Sequence, residues 1–277
     1  MEDLTRNQIK ELLESLYDRY GYDFRDYNTA HIKRRLTNRM TLSQLSSSEE
    51  FRNKVLEEPS FASLLLKDLS IQVTEMFRDP SFYQALRNTV IPLLKTYSFL
   101  KIWHAGTASG EEVYSIAIIL KEENLYDRCL IYATDFNQQA LDKGREGIYS
   151  DEKIQENIKN YRLSGGEGSL SDHFVYKYNK IIMNASLRKN IVWANHNLVT
   201  DSVFAEANLI LCRNVMIYFN KDLQNKVHNL FLQSLSNGGI LCLGMKENME
   251  FTEAKDKYMI LDKKNKIYKK KYQFSNH

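Results

Sequence analysis

A chain of 277 residues, 43% apolar and 26% charged, has the make-up of an ordinary globular protein, long enough for one large domain or two smaller ones. A formal net charge of +3 gives no general argument for nucleic acid, and no apolar run approaches the ~20 residues that span a bilayer, so neither nucleic acid binding nor direct membrane insertion is expected. Three widely spaced cysteines (Cys129, Cys212, Cys242) without a C-x-x-C argue against a disulfide framework or a zinc site, and the polar start Met1-Glu2-Asp3-Leu4 is no signal peptide, so the expected home is a reducing cytoplasm, with no metal.

Residues 1 to about 95 carry helical periodicity. Thr5 suits the cap of a helix running to about Tyr20, stopped by Gly21. Asn28 or Thr29 suits the cap of a second, with Ile32, Leu36 and Met40 as its apolar stripe. Ser47-x-x-Glu50 matches a capping box, Pro59 restarts the chain into Phe61–Leu66, and Asp79-Pro80 reads as an N-cap with proline in the first helical position. The expected organisation is a helical domain over 1–78, a linker helix over 79–98, and a second domain over 99–277.

From about Phe99 strands alternate with helices. Strands are expected at 100–105, 129–134, 190–195, 207–212 and 239–244, and helices at 111–123, 137–144 and 220–235. Lys257–Leu261 and Lys266–Lys269 read as a terminal hairpin. Residues 161–190, with Gly165-Gly166-Glu167-Gly168 and two short alternating runs, read as a small antiparallel insertion. The fold class is α/β: a doubly wound sheet with an antiparallel edge.

The segment Ile102-Trp103-His104-Ala105-Gly106-Thr107-Ala108-Ser109-Gly110-Glu111-Glu112 reads as a buried strand, a glycine turn and a helix that opens on two carboxylates. Such turns bind nucleotide-like ligands, because backbone without a Cβ can approach them closely. Most meet phosphate at the positive end of the helix dipole, which Glu111 and Glu112 would repel. The pair suits a nucleoside carrying an ammonium and a sulfonium, S-adenosylmethionine. A turn that only packs strand on helix is the alternative. Asp135 ends the next strand, where an acid accepts hydrogen bonds from ribose hydroxyls, although it also suits an N-cap. Arg213 and Asn214 follow the strand Leu209–Cys212, with Tyr218 close behind, and Asn197-Leu198 follows another strand; ligands of open sheets lie at such ends. Arg213 pairing with a local acid and Tyr218 serving as core are the alternatives. Thr74 and Arg78 share one face if their segment is helical, and Arg78 could clamp a carboxylate or pair with Glu75 or Asp79. Lys33, Arg34, Arg35 and Arg39 fall within seven positions of one helix, either a solvated face or a dock for an acidic partner. The lysines from Lys263 to Lys271 suit the guarded edge of a hairpin.

An ordered set of motifs carries a resemblance: Lys33-Arg34-Arg35-Leu36, Thr74-Glu75-Met76-Phe77-Arg78-Asp79, Ala105-Gly106 through Ser109-Gly110-Glu111-Glu112-Val113-Tyr114-Ser115, Ala133-Thr134-Asp135, Gly147-Ile148-Tyr149, Asn197-Leu198 and Cys212-Arg213-Asn214-Val215-Met216-Ile217-Tyr218-Phe219. The chain resembles the CheR-type protein-glutamate O-methyltransferases of chemotaxis receptors. The resemblance implies a class I, Rossmann-like S-adenosylmethionine-dependent methyltransferase domain, a helical N-terminal domain and a small β-subdomain, here the insertion at 161–190. It implies cofactor contacts at Gln72, Thr74, Arg78, Gly106, Glu111, Glu112, Asp135, Asn197, Leu198, Arg213 and Asn214, and orienting catalytic roles for Tyr218 and Arg78. It further implies docking of the receptor's cytoplasmic helical bundle on Lys33, Arg34, Arg35 and Arg39, and of a receptor C-terminal tail peptide on the subdomain. Three positions depart from the family pattern: Thr107-Ala108-Ser109-Gly110 replaces Cys-Ser-Thr-Gly, Val113 a proline, and Gln72 an asparagine. The altered turn keeps open a cofactor-binding scaffold without transfer activity, and a methyltransferase acting on another protein is a further alternative.

Overall fold

The structure is a computed structural model and describes residues 4–70, 74–250 and 252–272. The chain divides into two compact units, one of residues 1–72 with 218–226, the other of residues 73–217 with 227–277.

The first unit is helical. Helix α1 (Arg6–Tyr20) opens on a reciprocal box between Thr5 and Gln8 and closes on Gly21, whose φ of 75° few other residues adopt without strain. Helix α2 (Thr29–Leu42) is capped by Asn28, whose side chain accepts from Ala30 N–H. Ser47 caps helix α3 (Ser48–Glu57), but the Glu50 carboxylate reaches back to Ser46 N–H, so only half of the expected box forms. Helix α4 (Pro59–Leu69) starts on its proline. Leu12, Leu16, Ile32, Leu36, Met40, Phe51, Val55 and Leu65 are buried, which is the spacing each amphipathic face predicts.

The second unit begins with a broken linker helix. Helix α5 (Pro80–Ala85) passes through a wide π-type turn (Leu86–Val90) into α6 (Ile91–Leu94). Pro92 has no N–H for the carbonyl four residues back, and Ile91 N–H reaches Leu86 five back. The expected single linker helix is therefore interrupted. Asp79 occupies the N-cap position, but at φ 60° and with no capping hydrogen bond from its side chain.

Strands β1 (Leu100–Ala105) and β2 (Cys129–Asp135) flank helix α7 (Glu111–Glu122). Helix α8 (Gln138–Glu146) leads to β3 (Ile148–Ser150), helix α9 (Ile154–Leu163), β4 (Phe174–Lys177), β5 (Lys180–Met183) and the short helix α10 (Ala185–Arg188). Then come β6 (Ile191–Asn195), β7 (Ala207–Cys212), helix α11 (Lys221–Ser234), β8 (Leu235–Leu243), β9 (Tyr258–Asp262) and β10 (Ile267–Lys270).

The main sheet has seven strands in the order β6-β2-β1-β7-β8-β10-β9. The first five run parallel and β10 is antiparallel to both its neighbours, so the second strand of the terminal hairpin lies inside the first. Strand order reverses between β1 and β7, which puts the ligand crevice of a doubly wound sheet at their carboxyl ends. The insertion is larger than 161–190. Its three-stranded sheet, ordered β3-β5-β4, starts at Ile148, and α9 lies inside it. A three-residue strand shows no period in the sequence, so its pairing with β5 is visible only in three dimensions. All three cysteines are buried and free, as packing residues. No helix of the described residues is long and apolar enough to cross a membrane.

Glu122, in the last turn of α7, ties the insertion to this unit's helices by accepting from Tyr161 Oη and Arg87 Nη2, with His173 Nε2 at 3.6 Å. Burial raises its carboxyl, but His173, Tyr161 and Arg87 outweigh that and bring it from 4.5 to about 2. A depressed carboxyl adds stability that is complete above its unfolded value and lost as pH falls through its folded one. Glu122→Gln is expected to be less stable than the parent at neutral pH, the gap narrowing from about pH 4.5 down to about 2 in denaturant titrations. A gap that stays constant over that window would count against the assignment.

Candidate active site

The turn after β1 is built from left-handed residues. Gly106, Ala108 and Gly110 have φ of 77°, 47° and 88°. A Cβ on Gly106 would lie 2.6 Å from Val215 Cγ2, and one on Gly110 2.4 Å from Trp193 Cη2. Both glycines are thus demanded twice, by dihedral and by space. Gly106 and Thr107 N–H both donate to Thr134 O, at 2.8 and 3.0 Å, sewing the ends of β1 and β2 together. Trp103 Nε1–H donates to Thr134 Oγ1 at 2.8 Å beneath them.

Asp135 reaches across from β2. One carboxylate oxygen accepts from Ala108 N–H and the other from Asn137 N–H, each at 2.9 Å. Burial raises its carboxyl, against the pull of the Asn137, Ala108 and Phe136 amides. The side-chain cap of α8 is Asn137, accepting from Ala140 N–H at 3.1 Å, so Asp135 is not needed as an N-cap. A carboxylate offers about four lone-pair sites, and the three amides leave room for a hydroxyl donor.

The two glutamates separate in role. Glu111 accepts from Ser109 Oγ at 2.7 Å, and burial pushes its carboxyl up. Glu112 accepts from Arg213 Nη1 at 2.6 Å, with His104 Nδ1 3.7 Å away. Burial would raise Glu112, but Arg213 and His104 more than offset it, and its carboxyl ends below the usual range. Of the two negative charges at this helix start, that of Glu112 is matched by Arg213.

The Arg213 side chain is fully buried. Its second arm donates to Asp79 Oδ2 at 2.8 Å, and its guanidinium lies 3.9 Å from the Phe82 ring centroid. Arg213 thus pairs with two acids, and Asp79, which the sequence offers to its neighbour Arg78, is one of them. Thr74 and Arg78 do not share a helical face. Their segment is a turn with Phe77 at φ 54° and Asp79 at φ 60°, pinned where Phe77 N–H donates to Ser115 Oγ at 2.9 Å. Both residues are half-buried on the strip that ends at Asp79.

Asn214 (φ 62°) follows Arg213, and its loop is gathered by a residue the sequence does not single out. The buried Glu247 carboxylate accepts from Asn214, Val215 and Met216 N–H at 3.2, 2.9 and 2.8 Å, and also from Gly244 N–H. Its Gly-Met-Lys-Glu context carries no recognisable signal; only closure of the loops after β7 and β8 makes it meaningful. At the end of β6, His196 N–H donates to Asp135 O at 3.2 Å, which brings Asn197 and the buried Leu198 to the same sheet edge. The Asn197 side chain accepts from Val199 N–H at 3.0 Å.

Gly106, Glu111, Glu112, Asp135, Asn197, Leu198, Arg213 and Asn214 thus gather along the carboxyl edge of the parallel strands, with Thr74 and Arg78 on the strip tied to it by Asp79. Gln72 lies outside the described residues. Tyr218 belongs to the helical unit, where its ring meets His31 edge-on. Of the basic quartet, Arg34 is exposed, whereas Arg35 donates to Asp68 O and Arg39 to the Asp68 carboxylate, clamping α2 to α4. The edge has the parts that a cationic nucleoside needs: a turn without Cβ atoms, an acid with free lone pairs at the second strand, and carboxylates at the helix start.

The sequence matches the CheR methyltransferase, SAM binding domain, over residues 72–267, and the CheR methyltransferase, all-alpha domain, over residues 7–70. It is 45% identical to a Pseudomonas putida protein named Cher3, over 96% of this chain and 97% of that protein. It is 28% identical to the chemotaxis protein methyltransferase of Borreliella burgdorferi, covering 89% of this chain and 90% of that one. It is 29% identical to chemotaxis protein methyltransferase 2 of Pseudomonas aeruginosa, covering 88% and 87%.

Replacing Arg213 with an apolar residue would leave Asp79 and Glu112 facing each other in a poorly solvated site. Arg213→Met is expected to cost roughly 3 kcal/mol in urea unfolding, and a loss under about 1 kcal/mol would show that the ion triad does not organise this edge.

Proposed function

The chain belongs to the CheR methyltransferase family and is an S-adenosylmethionine-dependent methyltransferase, and we propose that it methylates glutamate side chains of chemotaxis receptors in the cytoplasm. The observation that carries this reading is the match to both family domains across nearly the whole chain, together with relatives named chemotaxis protein methyltransferase. The altered turn keeps its hydrogen bonds to β2 and to Asp135, so it lends no support to an inactive scaffold.

When bound, S-adenosylmethionine supplies an electrophilic methyl group on a sulfonium. Thr74, Arg78, Gly106, Glu111, Glu112, Asp135, Asn197, Leu198, Arg213 and Asn214, with Gln72, are the proposed residues that hold it. Asp135 suits the ribose hydroxyls, and Gly106 lets backbone come close. Arg213 acts from behind the surface, since its side chain is enclosed by Glu112, Asp79 and Phe82. A glutamate carboxylate with a reference pKa of ~4.3 is already ionised at neutral pH, so the chain needs no general base. What it must do is hold that carboxylate in line and exclude water. Arg78 and Tyr218 are the proposed orienting groups.

Arg34 and Lys33 on α2 are the proposed contact for the acidic helical bundle of a receptor. Arg35 and Arg39 support that face through Asp68. β4 is an edge of the small sheet, with Val175 and Tyr176 more than half exposed, which suits an extended receptor tail peptide.

Purified protein, labelled cofactor and receptor cytoplasmic domains are expected to yield base-labile methyl esters; label in base-stable form, or none, rejects the reading. Asp135→Ala is expected to weaken S-adenosylhomocysteine by about tenfold or more in titration calorimetry, and unchanged affinity removes Asp135 from the site. Arg34→Glu should raise the receptor KM several-fold while cofactor affinity stays at the parental value, and an unchanged KM removes the docking role.

A further inference from the structure

Helix α2 holds more than the docking residues. The segment 218–220 returns to the helical unit and pairs with the residues that lead into α2. Asn28 N–H donates to Tyr218 O at 2.7 Å, Asn220 N–H donates to Asp26 O at 2.9 Å, and Tyr27 and Phe219 form an antiparallel bridge with ring centroids 5.0 Å apart. Asn28 is also the N-cap of α2. The N-cap of the helix and the backbone of Tyr218 are therefore one hydrogen-bonded piece.

The Tyr218 side chain is held by the same helix. The His31 ring stands perpendicular to the phenol ring, at 90° and 5.5 Å between centroids. His31 Nδ1 is buried with no hydrogen-bond partner among the described residues, so at that nitrogen the ring is placed by packing. One turn further on, Arg35 lies within electrostatic reach of Tyr218 while donating to Asp68 O. Arg34 follows His31 by three positions and is exposed. One helix thus displays a cation to solvent and, along an adjoining strip, fixes the tyrosine.

We propose that His31 is a positioning residue for Tyr218, so that an acidic helical protein surface docking on α2 acts on the body that carries this tyrosine's hydroxyl. The inference rests on the function proposed above, in which α2 docks the receptor and Tyr218 orients its carboxylate. Edge-on aromatic contacts contribute through ring shape, so phenylalanine can replace histidine here and alanine cannot.

The test combines kinetics on receptor domains with 19F NMR of protein carrying 3-fluorotyrosine at position 218. His31→Ala is expected to lower kcat about tenfold while S-adenosylhomocysteine affinity and receptor KM move less than about twofold. His31→Phe should keep most of the parental kcat, which also guards against a variant that fails to fold. The double variant His31→Ala, Tyr218→Phe should be no slower than Tyr218→Phe alone, because a positioning residue acts through the group it positions. The 218 resonance should shift in His31→Ala and hold in His31→Phe. Additive losses in the double variant, a parental kcat in His31→Ala, or an unmoved resonance each overturn the proposal. The resonance decides on His31 even if no receptor domain is methylated, an outcome that by itself would reject only the function.

Discussion

The carboxyl edge of the sheet depends on one buried cation. A guanidinium taken out of water costs several kcal/mol, and that cost is offset by the charge and π density it meets. Arg213 meets Glu112 on one arm, Asp79 on the other and Phe82 on its face. These partners come from two separate stretches: the start of α7, and α5 with its N-cap. Satisfying the cation therefore fixes the glycine turn's helix, the strip bearing Thr74 and Arg78, and the loop bearing Asn214 as one piece. Asp79 accepts a left-handed backbone to take part, a conformation that costs energy unless its surroundings determine it.

Two further carboxylates extend the same logic to the backbone. Asp135 gathers amides from the turn after β1 and from its own loop, and Glu247 gathers four amides from the loops after β7 and β8. Loops at a sheet edge carry N–H groups with no ladder partner, and an unpaired buried amide costs about 1–3 kcal/mol. A single carboxylate that collects several of them holds a loop in a shape that helices and strands do not supply. Burial opposes this by raising both carboxyls, so each acid is stabilised as an anion only by the amides it organises.

Legibility in the sequence followed the range of the interaction that sets each element. Strands β1, β2, β6 and β7, the caps of α1 and α2 and the proline start of α4 come from local periodicity and cap chemistry, and they fall where the pattern puts them. The four-residue spacing of Thr74 and Arg78 suggests a helix, whereas the left-handed Phe77 between them leaves no mark in a side-chain pattern. β3 leaves no signal in the sequence because three residues cannot display a period. Glu247 stayed invisible since its partners are backbone amides about thirty residues earlier, and backbone has no sequence. Arg213 follows a strand, and its buried side chain pairs with Glu112 and Asp79, the pairing with acids that its place in the sequence leaves open beside a ligand contact.

The chemistry proposed for this chain explains why so much of its structure concerns placement. A glutamate carboxylate is already an anion at neutral pH, and every acidic protein surface displays many of them. The transfer needs no base that could decide when or on which one it occurs, so selectivity falls to whichever carboxylate is held still beside the methyl donor. The cofactor edge cannot make that choice, because its residues are arranged around a ligand that is the same for every substrate. The choice then rests on the surface that brings the substrate, and the return of residues 218–220 to the helical unit places Tyr218 on the same body as the dock proposed on α2.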